Sequence, residues 1–275
     1  MPEVRVGISG WTYPPWRKVF YPEGLAQRRE LEYASRQLSS IEINGSFYSL
    51  HRPESWQSWR DETPDDFLFS VKGGRFITHM KKLSGIEAPL ANFFASGVLA
   101  LGPKLGPMLW QLPPNLGFDE RRVADFLEKL PRTTSEAVAL AARHDERVEG
   151  RTWLTTDADR KVRHAMEVRH PSFETPAFTD LLRAHDVAVV TADTAGKWPM
   201  LLEPTTDLAY VRLHGDAELY VSGYSDEALD VWAARIRGWR DGGADVVVYF
   251  DNDVKVAAPF DAQRLIERLA GDDRE

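Results

Sequence analysis

The chain alternates short apolar runs with longer segments of helical periodicity. The eight apolar runs that we predict to be strands are Val4–Ile8, Ser40–Ile43, Phe67–Val71, Met108–Gln111, Ala165–Val168, Val187–Thr191, Leu208–Leu213 and Asp245–Phe250. Most of these runs are apolar at consecutive positions rather than at alternate ones. That pattern is typical of parallel strands that are buried on both faces.

Helical patterns fill most of the segments between these strands. The predicted helices are Leu25–Gln37, Pro53–Asp61, Leu90–Leu101, Phe118–Leu130 with Asp119 as its N-cap, Thr134–Arg143, Pro176–Ala184, a helix capped by Ser225 that runs to Trp239, and Asp261–Ala270. Eight strand-and-helix repeats over this length indicate a (β/α)8 TIM barrel. We predict a single domain over residues 1–275, with residues 271–275 as a flexible tail.

A doubly wound open sheet is the alternative to the barrel. That fold usually carries a glycine-rich phosphate loop after its first strand. The stretch GISGWTYPP, which follows Val6 here, matches neither the dinucleotide fingerprint nor the P-loop. The barrel is therefore favoured, and the sequence contains no nucleotide-cofactor motif.

The composition narrows the classes of partner. The net charge of −8 disfavours broad, non-specific binding to nucleic acid or to acidic membranes, so a nucleic-acid partner is not indicated. The net charge does not exclude a local basic pocket. The chain has no cysteine, which excludes disulfides, thiolate nucleophiles and cysteine-ligated metals. It also has no basic leader followed by a long apolar run, so we expect a cytoplasmic protein with no membrane partner.

Polar and aromatic side chains recur directly after the predicted strands. The carboxyl ends of the strands carry the functional groups in barrels of this kind. The candidates at these positions are Ser9, Gly10, Trp11, Tyr13, Glu42, Asn44, Phe47, Tyr48, Lys72, Arg75, Thr78, His79, Trp110, Gln111, Glu167, Arg169, His170, Asp193, Lys197, Arg212, His214, Gly215, Asp251, Asn252 and Asp253. We expect them to gather in one polar layer at one rim of the barrel.

Seven segments of the chain also resemble a known family. They are GISGWTYPPWRKVFYPEGL, IEINGSFYSL, FSVKGGRFITH, LWQLPP, EVRHPSF, YVRLHG and YFDNDVKVAAPFDAQRL. In this order they resemble the domain of unknown function 72 family, and the resemblance covers nearly the whole chain. It implies a TIM barrel and the location of the site, but no chemistry, because the activity of the family is unassigned.

The resemblance also implies a set of signature residues. These are Gly10, Trp11, Tyr13, Glu42, Asn44, Tyr48, Lys72, His79, Gln111, Glu167, Arg169, His170, Arg212, His214 and Asn252. The chain departs from the family pattern at one position, since the family commonly has two asparagines after the last strand and this chain has Asp251 at the first. An ionised aspartate cannot donate the hydrogen bond that an asparagine amide donates at that position.

The cations near the strand ends support an anionic ligand. Lys72, Arg75, Arg169 and Arg212 are all expected at the same rim. One interpretation is that they hold the phosphate or carboxylate of a small molecule. The other is that they form internal ion pairs with the carboxylates of the same layer.

We predict proton transfer by residues of the same layer. Alternation along the strands puts Arg212 and His214 on one side, so His214 ranks above His170. Predicted catalytic residues are His214, Glu167 and Glu42, and predicted ligand-binding residues are Trp11, Tyr13, Asn44, Tyr48, Lys72, Gln111, Arg169, Arg212 and Asn252. The hypothesis is a hydrolase or lyase that acts on a phosphate- or carboxylate-bearing small molecule or nucleotide. The first alternative is a non-catalytic ligand-binding or scaffold protein.

Two further alternatives stay open. A divalent metal has weak candidate ligands in Glu167, Asp193 and His214, but no closely spaced metal motif supports it. A carbohydrate-active enzyme would use Glu42 and Glu167 as paired carboxylates beside aromatic side chains. The lysine and arginine side chains at the strand ends fit a negatively charged ligand better than a neutral sugar. The sequence specifies no oligomeric state.

Overall fold

The computed structural model of the protein describes residues 2–271. Eight parallel strands follow one another in a closed barrel, in the order β1 to β8. They are β1 Val4–Ser9, β2 Ser40–Ile43, β3 Leu68–Lys72, β4 Leu105–Gln111, β5 His164–Glu167, β6 Val187–Asp193, β7 Leu208–Leu213 and β8 Asp245–Phe250. The predicted (β/α)8 TIM barrel is therefore confirmed, and every predicted strand overlaps an observed one.

Nine α-helices lie within residues 2–271. They are α1 Glu30–Ala34, α2 Gly45–Tyr48, α3 Pro53–Glu62, α4 Glu87–Ala95, α5 Glu120–Leu127, α6 Thr134–Ala141, α7 Pro176–Ala184, α8 Asp226–Asp241 and α9 Ala257–Ala270. Two predicted N-caps are confirmed. Asp119 accepts a hydrogen bond from the Arg122 backbone N–H at 3.0 Å, and Ser225 accepts one from the Ala228 N–H at 3.1 Å. None of these helices is both long and apolar enough to cross a membrane.

Two predicted helices were too long. The segment Leu25–Gln37 holds only a 3-10 turn, Gln27–Arg29, followed by α1, because Ala26 is extended and makes no capping bond. Helix α4 ends at Ala95 because Gly97 adopts a φ of +112°, and a Cβ there would lie 2.6 Å from the Trp56 side chain. A 3-10 segment, Val98–Lys104, then leads into β4. The prediction also missed α2, a helix of a single turn.

One glycine is required by the contact between β1 and β2. Gly7 lies opposite Ser40 on one side and Tyr249 of β8 on the other. A Cβ at Gly7 would stand 1.8 Å from the Ser40 carbonyl oxygen. The backbones therefore approach each other as closely as they do only because position 7 carries no side chain.

The described residues divide into two compact units. The first consists of residues 2–42 and 188–271, and the second of residues 43–187. Each has its own buried apolar residues, such as Ile8, Val211 and Val248 in the first and Phe94, Trp110 and Phe126 in the second. That residues 1–275 act as one domain stays a prediction. The tail predicted for residues 271–275 lies, apart from Gly271, outside the described residues.

Candidate functional site

A buried arginine organises the strand ends of the first unit. Arg212 of β7 is fully buried, and its guanidinium donates to Glu42 through Nε at 3.1 Å and through Nη2 at 2.9 Å. Glu42 also accepts from the Ser9 hydroxyl at 2.9 Å and from the Tyr210 hydroxyl at 2.6 Å. Four donated hydrogen bonds therefore hold a carboxylate that has no exposure to solvent. We call the group formed by Ser9, Glu42, Tyr210, Arg212, His214 and Asp251 the Arg212 cluster.

His214 lies on the other side of the same guanidinium. Arg212 Nη1 donates to His214 Nε2 at 3.3 Å, and Arg212 Nη2 donates to Asp251 at 2.9 Å. His214 Nδ1 lies 3.0 Å from Asp251 Oδ2, which is an ion-pair distance for a protonated imidazole, although the two atoms do not have hydrogen-bond geometry. Because Nε2 accepts from an arginine, the proton of a neutral His214 is at Nδ1.

Asp251 also forms a carboxyl pair with Asp253. Burial, followed by the charge of Asp251, raises the pKa of Asp253 well above its usual range. The hydroxyl of Tyr13 interacts with the same carboxyl, and burial raises the pKa of Tyr13 as well. A pair of adjacent buried carboxyl groups disfavours two negative charges, so the protonated form of Asp253 is favoured. Asp253, a candidate by its position at a strand end, is thus a carboxylic acid that was not among the predicted catalytic or ligand-binding residues.

The aromatic loop after β1 covers this part of the first unit. Tyr13 donates to the Ser9 carbonyl at 2.5 Å, and Trp16 Nε1 donates to the Asp253 carbonyl at 3.3 Å. Tyr21 donates to the Trp11 carbonyl at 2.6 Å, so the loop is held by its own aromatic side chains. Trp11 is half-buried, whereas Trp16 is buried completely and serves packing.

Asn252 and Asp193 have hydrogen-bonding partners within the first unit. The Asn252 amide donates to the Ser222 carbonyl and to Asp261, both at 2.9 Å, while its own oxygen is buried without a partner. Asp193 accepts from the Tyr224 hydroxyl at 3.1 Å, and burial raises its pKa. Both residues therefore tie the loop before α8 to neighbouring elements.

The metal alternative gains no support from the geometry. Among residues 2–271, no group of three or more histidine, aspartate and glutamate side chains is arranged to hold a metal ion. The weak candidates Asp193 and His214 instead interact with Tyr224 and with Arg212, and Glu167 interacts with Arg169.

Cations surround a histidine in the second unit. Glu167, at the end of β5, accepts from Gln111 Nε2 at 2.9 Å and from Arg169 Nε at 3.0 Å. Lys72, at the end of β3, places its ammonium 4.6 Å from the centre of the Phe47 ring. We call the group formed by Lys72, Arg75, His79, Glu167 and Arg169 the His79 cluster, because His79 feels the charge of each other member.

The backbone after β3 presents His79. Residues Phe76–Met80 form a single π-helical turn, a rare element that is frequent at functional sites. His79 meets the Phe47 ring edge-on at 5.0 Å, and its Nδ1 lies 2.9 Å from the Thr78 hydroxyl. Because the Thr78 hydroxyl has the Gly74 carbonyl as an acceptor at 3.5 Å, it can accept the proton of Nδ1. We assign the neutral tautomer with a free lone pair at Nε2 on that basis.

The surrounding charges keep His79 neutral. Burial, followed by the positive charges of Lys72, Arg169 and Arg75, lowers the pKa of His79 to about 4, and Glu167 acts weakly in the opposite direction. A neutral imidazole at pH 7 can accept a proton or donate a hydrogen bond without adding to the positive charge.

The depressed pKa of His79 predicts a pH dependence of stability. The unfolded chain binds a proton at His79 near pH 6.5, whereas the folded chain does so only near pH 4. The free energy of unfolding should therefore fall as the pH drops from about 6.5 to about 4, and level off below that. Urea titrations at several pH values should show a shallower slope in His79→Gln than in the wild type. Burial also lowers the pKa values of His51 and His164. Part of the dependence of unfolding free energy on pH should therefore remain in both proteins. Equal slopes would show that His79 titrates normally.

Three other predicted or signature residues occupy different surroundings. Asn44 is the N-cap residue of α2, but its side-chain oxygen is buried without a partner. Tyr48 ends α2 and is 70% exposed. His170 accepts from the Ser172 backbone N–H at 3.2 Å and thereby caps the turn after β5. Trp110, an aromatic residue near the end of β4, is fully buried and packs between Phe93, Phe126 and His164.

Several groups of potential function were missed or ranked low by the sequence analysis. Asp253 follows Asp251 by two residues, which could have indicated a carboxyl pair. Phe47 and Arg75 belong to quoted segments, but only the structure shows that they flank His79. His79 itself lies in a segment whose path no periodicity predicts.

Comparison with known proteins agrees with the family resemblance found in the sequence. A family model described as "Protein of unknown function DUF72" matches residues 5–275. A DUF72 family protein from Thermotoga maritima MSB8 has a similar solved structure, with a TM-score of 0.75, 26% sequence identity, and coverage of 98% of this chain and 99% of that chain.

Two curated bacterial proteins are similar in sequence. The UPF0759 protein YunF of Bacillus subtilis is 23% identical over 97% of this chain and 94% of its own length. The UPF0759 protein YecE of Escherichia coli K12 is 30% identical over 129 residues, which are 46% of this chain. That match spans 44% of the E. coli protein, so it covers less than half of the length of that relative.

Proposed function

The chain belongs to the DUF72 family of TIM-barrel proteins, and from this premise we propose that it is an enzyme that binds the phosphate or carboxylate of a small molecule in the His79 cluster. The reaction is hydrolysis or elimination at a bond next to the bound anion. The class of reaction is the one predicted from sequence. The proposed anion site differs from that prediction in lying wholly among residues of the second unit, without Arg212.

The imbalance of charge around His79 carries the proposal. Lys72, Arg75 and Arg169 each bear a positive charge that acts on His79, and Glu167 bears a negative charge that acts more weakly. Arg169 is paired with Glu167, whereas the exposed Arg75 makes no ion pair with any described residue. An excess of positive over negative charge within one cluster is costly by itself, and the cost falls when an anion binds.

The members of the cluster differ in what they offer an anion. Arg75 has a planar fork of N–H donors, which suits the oxygens of phosphate and carboxylate. Lys72 is 8% exposed and supplies a point charge held against the Phe47 ring. Because both side chains lie near a partly desolvated histidine, their attraction for an anion is less screened than at an open surface.

His79 is the proposed proton acceptor. In a hydrolytic step, Nε2 would take a proton from water as the water oxygen bonds to the substrate. The bond to the leaving group would break, and the leaving group would keep the bonding electrons and take the proton back from Nε2. An anionic substrate offsets the positive charges that lower the pKa of His79, so binding would bring that pKa closer to neutrality and strengthen the base. Glu167, predicted to be catalytic, would then orient Arg169 and Gln111.

The hydrogen bonds that Glu42 accepts favour a second candidate function, which is ligand binding without catalysis. Glu42 accepts four hydrogen bonds, two of them from Arg212, and a carboxylate held this way is a poor proton carrier. Catalytic roles for Glu42 and His214 stay predictions. The carbohydrate alternative is less favoured, because each of its two carboxylates, Glu42 and Glu167, is ion-paired with an arginine.

Removal of Arg75 tests the anion site. We expect Arg75→Gln to weaken the binding of inorganic phosphate by about tenfold, the value of one charge-assisted hydrogen bond. Isothermal titration calorimetry on the full chain measures it. Arg121→Gln is the matched control, since Arg121 is an exposed arginine of α5 with only a 4.0 Å contact to Asp125. The proposal fails if wild type and Arg75→Gln bind phosphate equally or if neither binds it.

A further inference from the structure

A concave pocket in the second unit adjoins the His79 cluster. It has a volume of about 560 Å³ and lies between α2, the π-helical turn and α4. This volume falls within the range of small-molecule sites. Two residues belong to both the pocket and the surroundings of His79, namely Phe47 and Arg75.

The pocket exposes large apolar side chains. Tyr48 is 70% exposed and Met80 is 63% exposed, and both line it. The rings of Phe47 and Phe76 line it as well. Single exposed apolar residues are ordinary on a protein surface, but several that converge in a concave site indicate a ligand with an apolar part.

The charged side chains in the pocket are both positive. They are Arg75 and Arg147, and no described residue of the pocket lining is acidic. Arg147 places its guanidinium 5.6 Å from the centre of the Phe76 ring. Neither arginine forms an ion pair with a described carboxylate. The walls therefore combine aromatic faces and planar cations, which both stack on flat rings.

We propose that this pocket holds the aromatic ring of a small organic anion whose phosphate, phosphonate or carboxylate lies in the His79 cluster. The inference deepens the proposed function and rests on it. The observation behind this inference is that Phe47 belongs to both sites. Its ring contacts Lys72 and His79, and it also forms part of the pocket wall. An anion bound near Lys72 would therefore place its attached group beside that wall. Phosphate or carboxylate supplies the charge, and the ring supplies the buried apolar area.

Phosphonates test the inference without turnover, because their carbon–phosphorus bond resists hydrolysis. We expect 2-naphthylphosphonate to bind the full chain at least about tenfold more tightly than methylphosphonate, given the apolar area that the ring buries. Tyr48→Ser should lower the ratio of the two affinities several-fold. Val231→Ser is the matched control, since Val231 is an exposed apolar residue of α8, in the first unit.

The outcomes separate the two proposals. If both phosphonates bind equally, the ring pocket is wrong while the anion site of the proposed function stands. If neither phosphonate binds, the inference and the proposed function fall together. If 2-naphthol binds as tightly as 2-naphthylphosphonate, the pocket acts without the His79 cluster and the inference is overturned. The inference is supported if Tyr48→Ser loses the preference for 2-naphthylphosphonate over methylphosphonate while Val231→Ser keeps it.

Discussion

The His79→Gln variant is expected to turn over an aryl phosphate about two to four orders of magnitude more slowly than the wild type, the usual contribution of a positioned general base. Glutamine keeps an amide of similar reach but cannot take a proton at Nε2. Its effect on the binding of inorganic phosphate should be small, within about threefold, because a neutral side chain replaces a neutral imidazole. The loss should therefore fall on kcat and leave phosphate affinity in place.

The measurement is the release of 2-naphthol from 2-naphthyl phosphate, followed by fluorescence. His185→Gln is the control, because His185 lies at the end of α7, where it caps the helix through its backbone. Thr78→Val should have a smaller effect, since it removes only the hydroxyl next to His79 Nδ1. Equal rates in wild type and His79→Gln would remove His79 from the mechanism. A wild type that binds phosphate but releases no naphthol would contradict hydrolysis of phosphate esters and favour the binding protein.

The Arg212→Met variant is expected to lower the free energy of unfolding by about 3–5 kcal/mol, the usual cost of removing one partner of a buried ion pair. Methionine fills part of the volume but leaves Glu42 buried with only Ser9 and Tyr210 as described donors. Asp251 loses its 2.9 Å contact with the same guanidinium. Urea denaturation monitored by tryptophan fluorescence measures the change.

A double variant separates the ion pair from general damage to the core. Arg212→Met combined with Glu42→Met should cost less than the sum of the two single changes, with a coupling of roughly 0.5–3 kcal/mol, because the second change removes the stranded charge. Arg183→Met is the surface control, since Arg183 pairs with Asp180 while 46% exposed. If Arg212→Met costs no more than Arg183→Met, the Arg212 cluster does not stabilise the fold.

The barrel could be predicted because its signal is local. Continuous apolar runs mark β7 and β8 at their observed bounds, and the caps at Asp119 and Ser225 depend on neighbouring residues only. The length of α4 could not be predicted, since its end depends on the contact between Gly97 and Trp56. Nothing in the periodicity of the chain shows that contact.

The candidate site was predictable only in part for the same reason. The strand ends identified Lys72, Glu167 and Arg212 as polar positions, and the two-residue period of a strand predicted that Arg212 and His214 point the same way. The partners of these residues come from distant parts of the chain. Glu42 is 170 positions from Arg212, so no spacing rule shows that its carboxylate is saturated. The pKa of His79 likewise depends on Arg169, from a distant segment, as well as on Lys72 and Arg75 of its own segment.

The pairing of β1 with β8 has a consequence for synthesis on the ribosome. Val4 lies beside Val246, and residues 2–42 share a compact unit with residues 188–271. During synthesis the second unit, residues 43–187, is complete before β8 is made, whereas β1 stays without β8 until residues 245–250 have been translated. Chaperones that shield apolar strands during that interval would act on the amino-terminal segment, and a ribosome stalled before position 245 would leave Val4–Ser9 without its partner β8.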